Sequence, residues 1–328
     1  MNSRTRGWLL ATLLVPVLAL SACSDRNAVN KVHNKSGGGS GGYGYKIAVV
    51  THGGAGDSFW SIVKKGVQQA GTDMGDNVNY QSDGDPTTQS KLIDAAVNEK
   101  PDGLVVSMAN PDALKSSIER AEAAGIPVIT INSGEAESKS FGALSHIGSD
   151  ETVAGKAVGT QLKADGVKNV ICVIQEAGNV GLEQRCDGVK ETLGGKITNI
   201  QVDNNNLPAA QSTIKAKLQA DSSVDGVVTL GAQVAAIAEG AISDASSSAK
   251  LVTFDLNADV AQAVVDGKIL FAVDQQPYLQ GYLSVVMLTQ YKSNLNVLGG
   301  GQPVLTGPNL ITKENAAAVV KLAAGGTR

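Results

Sequence analysis

KIAVVTHGGAGDSFWSIVKKGVQQAG, residues 46–71, and NVICVIQEAGNVGLEQRCDGVKETLG, residues 169–194, are one structural unit written twice. Each opens on an apolar run, passes through a glycine-bearing loop and continues with helical spacing, as in Phe59, Ile62, Val63 and Val67. These periods parse as strand, loop and helix. The first unit is followed by a helix near residues 87–100, a strand GLVVSM, a helix from Pro111 and a strand PVITIN; after the second, PAAQSTIKAKLQADSSVDGVVTLGA repeats that order. Gly66 and Gln89 lie as far apart as Gly188 and Gln211 (89 − 66 and 211 − 188, both 23), and PVITINS corresponds to LVTFDLN. Agreement at this many points predicts an α/β fold of two similar Rossmann-like lobes, each a doubly wound parallel sheet covered by helices on both faces. Ligands of such open sheets lie beyond the carboxyl ends of the strands. The functional residues are therefore expected in the loops after each apolar run, facing one shared cleft.

The N-terminus reads as an export signal. Arg4 and Arg6 precede an apolar stretch from Trp8 to Leu20 that is too short to span a bilayer, and small residues follow. Leu20-Ser21-Ala22-Cys23 resembles the lipobox of bacterial lipoproteins, which makes residues 1–22 a signal peptide and Cys23 the lipidation site. Residues 23–45 are glycine- and serine-rich without hydrophobic periodicity, and are expected to form a flexible tether to the membrane surface. GGSGG at 38–42 satisfies the G-x-S-x-G nucleophile pattern, but no strand precedes it, so no catalytic serine is read there.

Composition narrows the class further. The formal charge of −4 becomes −6 once Arg4 and Arg6 leave, and no lysine-arginine cluster interrupts the remainder, so nucleic acid is a poor partner. With Cys23 assigned to lipid, Cys172 and Cys186 remain as a pair in an exported domain, where a disulfide is favoured over two free thiols. His33, His52 and His146 have no ligand spacing to a cysteine, and no metal site or cofactor is expected.

The glycine loop at 53–56 is not built for phosphate. Phe59 stands where a dinucleotide fingerprint needs its third glycine, and the Lys and Ser/Thr of a P-loop are missing. Asp57 also puts a carboxylate at the helix N-terminus where a phosphate would approach. Its acceptor oxygens, with the flat faces of Phe59 and Trp60, suit a ligand with many hydroxyls and C–H faces. Asp57 can cap the helix as well.

From Lys46 to about Thr312 the chain resembles the ribose-type, or type 1, periplasmic binding proteins of bacterial ABC transporters. The matching stretches include PDGLVVS, AGIPVITINS, SHIGSDE, AGNVGLEQRCDGV, LVTFDLNAD and FAVDQQPYLQGY. The resemblance implies two lobes joined by three hinge crossings, near Gly148 to Asp150, Gln275 to Pro277 and Leu305 to Gly307. One lobe is then 46–148 plus 276–306 and the other 149–275 plus 307–328. It also implies sugar contacts at Asp57, Phe59 and Trp60 in the first lobe. Asn132 and Ser133 stand where the family commonly has an Asp-Arg pair, a departure that argues against a close ribose specialist. In the second lobe it implies Asn179, Glu183 or Arg185 (Arg185 favoured), Asp255, and Gln275 with Asp274 beside it. Gly231 replaces an asparagine usual after its strand, leaving backbone or Gln233 for contact there. Asn204, Asn205 and Asn206 stand where some members have an aromatic. His146 reads as a hydrogen-bonded hinge-region residue, and His52 stays outside the core set.

The function so implied is an extracytoplasmic, lipid-anchored, monomeric binding protein that captures a monosaccharide or sugar alcohol and delivers it to a permease. A sugar or autoinducer sensor acting through a membrane receptor uses the same cleft. A LacI-type regulator shares the fold but needs a basic helix-turn-helix where this chain has an export signal. An enzyme is disfavoured, because nothing activates a nucleophile and Asp57, Glu183 and Asp255 are the sole basis for a carboxylate pair.

Overall fold

The computed structural model describes residues 42–54 and 56–328. The signal peptide, Cys23 and residues 23–41 of the tether lie outside the described residues. Among those described, no helix is long and apolar enough to cross a membrane.

In the first lobe, β1 (Lys46–Thr51), β2 (Asn77–Ser82), β3 (Gly103–Ser107), β4 (Val128–Ile131) and β5 (Ser145–Ser149) alternate with α1 (Ser58–Met74), α2 (Pro86–Asn98), α3 (Pro111–Ala123) and α4 (Glu135–Ser138). The second lobe repeats the order. Its strands are β6 (Asn169–Ile174), β7 (Lys196–Gln201), β8 (Gly226–Thr229), β9 (Lys250–Phe254) and β10 (Phe271–Asp274). They follow α5 (Glu151–Ala164) and alternate with α6 (Val180–Leu193), α7 (Leu207–Ala220), α8 (Ala232–Asp244) and α9 (Ala258–Val265). The chain then returns through α10 (Pro277–Asn294), β11 (Val304–Gly307), β12 (Asn309–Thr312) and α11 (Ala316–Ala324).

The sheets have the orders β11-β5-β4-β3-β1-β2 and β12-β10-β9-β8-β6-β7, the same winding twice. Pairing is parallel throughout, except that β12 runs antiparallel to β10. The chain changes sheets after β5, after β10 and between β11 and β12. Ser149 pairs with Gly307 in the first sheet, so each of these two strands runs one residue past the boundaries at 148 and 306. Sequence reading passed over β2 and β7. These edge strands are mostly polar and partly exposed, so neither carries the apolar run that marks their buried neighbours.

Local sequence explains where the helices begin. Asp85, Asn110 and Asn206 each accept a backbone N–H as N-cap, and a proline sits in the first turn that follows, where its missing N–H costs nothing. Close helix packing then fixes α6. A Cβ on Gly155 would lie 2.2 Å from the Arg185 carbonyl oxygen, and one on Gly188 would lie 2.4 Å from that of Thr152. Cys172 on β6 and Cys186 on α6 form a disulfide with a Cα separation of 6.0 Å, tying this helix to its sheet inside the core.

Candidate ligand-binding cleft

Strand ends of both sheets converge on a cavity between the lobes, the place where ligands of open α/β sheets are held. It is lined by Asp57, Phe59, Trp60, Asn132, Ser133, Asn179, Arg185, Asp255 and Gln275, nine of the residues singled out in the sequence. The lobes meet around it. The Ser133 hydroxyl lies 3.2 Å from Asn179 Oδ1, Gln233 Nε2 donates to the Gly56 carbonyl at 2.8 Å, and the Val180 N–H donates to the Ala109 carbonyl at 3.0 Å. Gln233 therefore commits one amide N–H to the opposing loop while it lines the cavity.

Two expected residues lie elsewhere. Glu183 is exposed on α6. Two positions along a helix turn a side chain by about 200°, so Arg185 faces inward and Glu183 outward. Asp274, the last residue of β10, is fully buried but points away from the cavity. Its Oδ1 accepts the Gln276 N–H at 2.8 Å and its Oδ2 pairs with Arg328 Nη2 at 2.5 Å. His146 keeps one expected bond, Nδ1 to Thr130 Oγ1 at 2.9 Å, while its buried Nε2 has no partner.

Each inward residue is held from behind. Asp57 caps α1 by accepting the N–H groups of Phe59 at 2.8 Å and Trp60 at 3.4 Å, so one carboxylate both starts the helix and lines the cleft. Asn179 caps α6 through Gly181 N–H and gives its own amide N–H to Glu176 Oε2 at 2.6 Å. Arg185 is 3% exposed; it donates from Nε and Nη2 to Glu151 at 2.6 and 2.9 Å and from Nη1 to the Leu230 carbonyl at 3.2 Å. Its guanidinium also stacks 4.6 Å from the Phe254 ring centroid. Such fixing from outside the cavity preorganises hydrogen-bonding groups and lowers the entropy cost of binding.

The charge balance is acidic. Burial raises the Asp255 pKa to about 7 despite the nearby Arg185 guanidinium, and raises that of Asp57 to about 6 with help from the Glu176 charge. Burial also pushes Glu176 upward. The cation among these groups, Arg185, is already committed to Glu151. The cleft thus offers acceptors in excess, arranged beside the rings of Phe59 and Trp60, which meet edge to face at 5.1 Å.

Sequence reading missed Gln175 and Glu176, and held His52 back from the core set; all three line the cavity. His52 is buried, with Nδ1 2.7 Å from Ser107 Oγ, and burial lowers its pKa to about 3, so it stays neutral. Each lies within two residues of the end of β1 or β6, and that position was the available signal. Among the described residues no cluster of ligating side chains suits a metal ion.

Comparison with known proteins agrees with this architecture. A crystal structure of a carbohydrate transporter from Acidothermus cellulolyticus, in complex with myo-inositol, is 44% identical and superposes with a TM-score of 0.86, covering 87% of this chain and all of its own. The xylose/arabinose-binding protein of Sulfolobus acidocaldarius is 26% identical over 83% of this chain and 72% of its own length. The ribose import binding protein of Haemophilus influenzae is also 26% identical, over 70% of this chain and 79% of its own. Residues 47–295 match the periplasmic binding protein domain, and the chain belongs to that family.

Proposed function

We propose that this protein captures a neutral monosaccharide or cyclic polyol outside the cytoplasm and delivers it to the permease of an ABC importer. The observation that carries this reading is the acceptor-rich, ring-lined cavity closed by strand ends of both lobes. Hydroxyl groups are donors that Asp57, Asp255 and Glu176 can accept, and C–H faces pack on Phe59 and Trp60. The likeness to the myo-inositol-bound structure at 44% identity favours a cyclitol as the first compound to test, and the sugar-import relatives support the wider class.

The mechanism is binding by population shift. A ligand that touches Asp57 from one lobe and Arg185 or Asp255 from the other stabilises the closed arrangement selectively, and closure presents a composite surface to the permease. A lipid anchor at Cys23 would keep the protein at the membrane. The chemistry is capture rather than turnover, in keeping with its family.

Trp60 is the single tryptophan beyond the signal and lines the cleft. Its fluorescence, with thermal shift in parallel, is the assay for a panel of pentoses, hexoses, linear polyols and myo-inositol. A saturable response to one compound, lost in Asp255→Ala, is the expected result. Silence in both signals across the panel overturns the reading.

A further inference from the structure

The closed cleft is not sealed on every side. A second, wider compartment opens to solvent and shares His52, Gln175, Glu176, Asn179 and Asn204 with the inner cavity. Three features mark it as more than a gap. Gln175 is 8% exposed and its Oε1 has no partner, and the Asn204 Oδ1 is likewise buried without one. Both residues stand between the two spaces, so their free acceptors serve a group lying in either. The wall, moreover, is kept bare at Gly54 and Gly84. Neither has left-handed backbone; a Cβ on Gly54 would meet nothing within 4 Å, and one on Gly84 would meet only the His52 carbonyl oxygen at 3.7 Å. Backbone conformation and packing therefore do not require glycine there, and the effect of both is open space.

We propose that this mouth is a second subsite, which takes an uncharged sugar substituent carried by the ring bound in the inner cavity. The protein then accepts glycosides of its ligand as well as the free ring. Asp83, Asp85, Glu176 and Asp203 line the mouth, and among the described residues no lysine or arginine does. An anionic substituent meets uncompensated like charge and is rejected. This subsite rests on the reading of the inner cavity as a sugar or polyol site.

The test is calorimetric titration of the full mature protein with myo-inositol, its galactoside galactinol and myo-inositol 1-phosphate. Galactinol is expected to bind within about tenfold of myo-inositol, and the phosphate at least about a hundredfold more weakly. Gly84→Trp and Asn205→Trp, at positions that line the mouth from opposite lobes and do not line the inner cavity, should weaken galactinol about tenfold or more and leave myo-inositol unchanged. Binding of myo-inositol without galactinol overturns the subsite and leaves the proposed function standing. Equal losses for both compounds in the tryptophan variants assign the mouth to closure and also overturn it. If neither compound binds and the fluorescence panel is silent, the function itself fails and the subsite with it. Phosphate binding equal to that of myo-inositol overturns the restriction to uncharged substituents.

Discussion

Asn132 and Asp255 stand one residue past β4 and β9, at matching ends of the two sheets, and both adopt left-handed backbone, with φ of 65° and 67°. The Gln275 amide joins them across the lobes: its Nε2 donates to Asp255 Oδ1, and its Oε1 accepts from Asn132 Nδ2 at 3.5 Å. Asn and Asp are the side-chain-bearing residues that best tolerate this conformation, so the turn that aims each side chain into the cleft selects the residue type.

Gln275→Leu removes the bridge without changing volume greatly. Asp255 then loses the donor that orients it in the cleft, and ligand affinity is expected to fall about five- to 150-fold, the equivalent of roughly 1–3 kcal/mol. The fold is expected to survive. Titration by Trp60 fluorescence, with circular dichroism as the control for folding, checks both halves, and unchanged affinity would remove Gln275 from the site.

Arg185 and Glu151 form a buried pair, each 3% exposed by side chain. Arg185→Met leaves the Glu151 carboxylate unpaired and should destabilise the protein by about 3–5 kcal/mol in urea unfolding. Adding Glu151→Leu should recover most of that loss, since replacing both members of a buried pair by apolar groups is often neutral. Ligand affinity should stay low in the double variant, because Arg185 also lines the cleft. A double variant no more stable than Arg185→Met contradicts the pairing energetics.

How much of this was legible in the sequence follows from what each signal depends on. The repeat exposed both sheets and their strand ends because buried parallel strands are continuous apolar runs. Asp255 and Asn132 entered the candidate site through the resemblance to the type 1 periplasmic binding proteins, at the ends of the apolar runs in LVTFDLN and PVITINS. Glu183 stood as the alternative to Arg185 for lack of phase: Asn179 sets the start of α6, and a shift of two positions exchanges the inner and outer faces. On β10, side chains alternate, and Asp274 turns to Arg328 while Gln275 enters the cleft. Glu176 escaped notice because a carboxylate beside Ala177-Gly178 reads as solvated loop, and no local pattern encodes its place on the wall between two lobes distant in sequence.

The disulfide spans fourteen positions and lies outside the cavity lining. Closing a loop of that length contributes about 3 kcal/mol through the unfolded state. Replacing both Cys172 and Cys186 by Ala should lower stability by about that amount and leave affinity unchanged. Both sulfurs belong to residues with no exposed surface, so alkylating reagent with mild reductant should label the native protein only after unfolding. Mass spectrometry of the native and urea-treated protein reads this directly, and prompt native labelling would show that the bond is open to solvent.

Asp255 gives the protein a pH dependence whose sign is fixed. Its pKa rises from 3.8 unfolded to about 7 folded, chiefly through burial, so between these values the folded state holds the proton more tightly. That contribution to stability is complete below about pH 4 and is lost as pH rises through 7, because stability falls with pH wherever the folded state binds more protons. Asp255→Asn keeps the left-handed turn and removes the titration. The variant should be more stable than the parent protein at pH 8, by up to roughly 4 kcal/mol, and the difference should shrink steadily toward pH 4. Other groups titrate over this range, His52 among them, but subtracting the two unfolding curves leaves mainly the change at Asp255. At pH 8 the same variant should bind sugar more weakly, since an amide accepts hydroxyl protons less strongly than a carboxylate. Unfolding in urea at pH 4.5, 6 and 8 measures the difference, and a gap constant with pH would show that Asp255 keeps an ordinary carboxylate pKa in the folded protein.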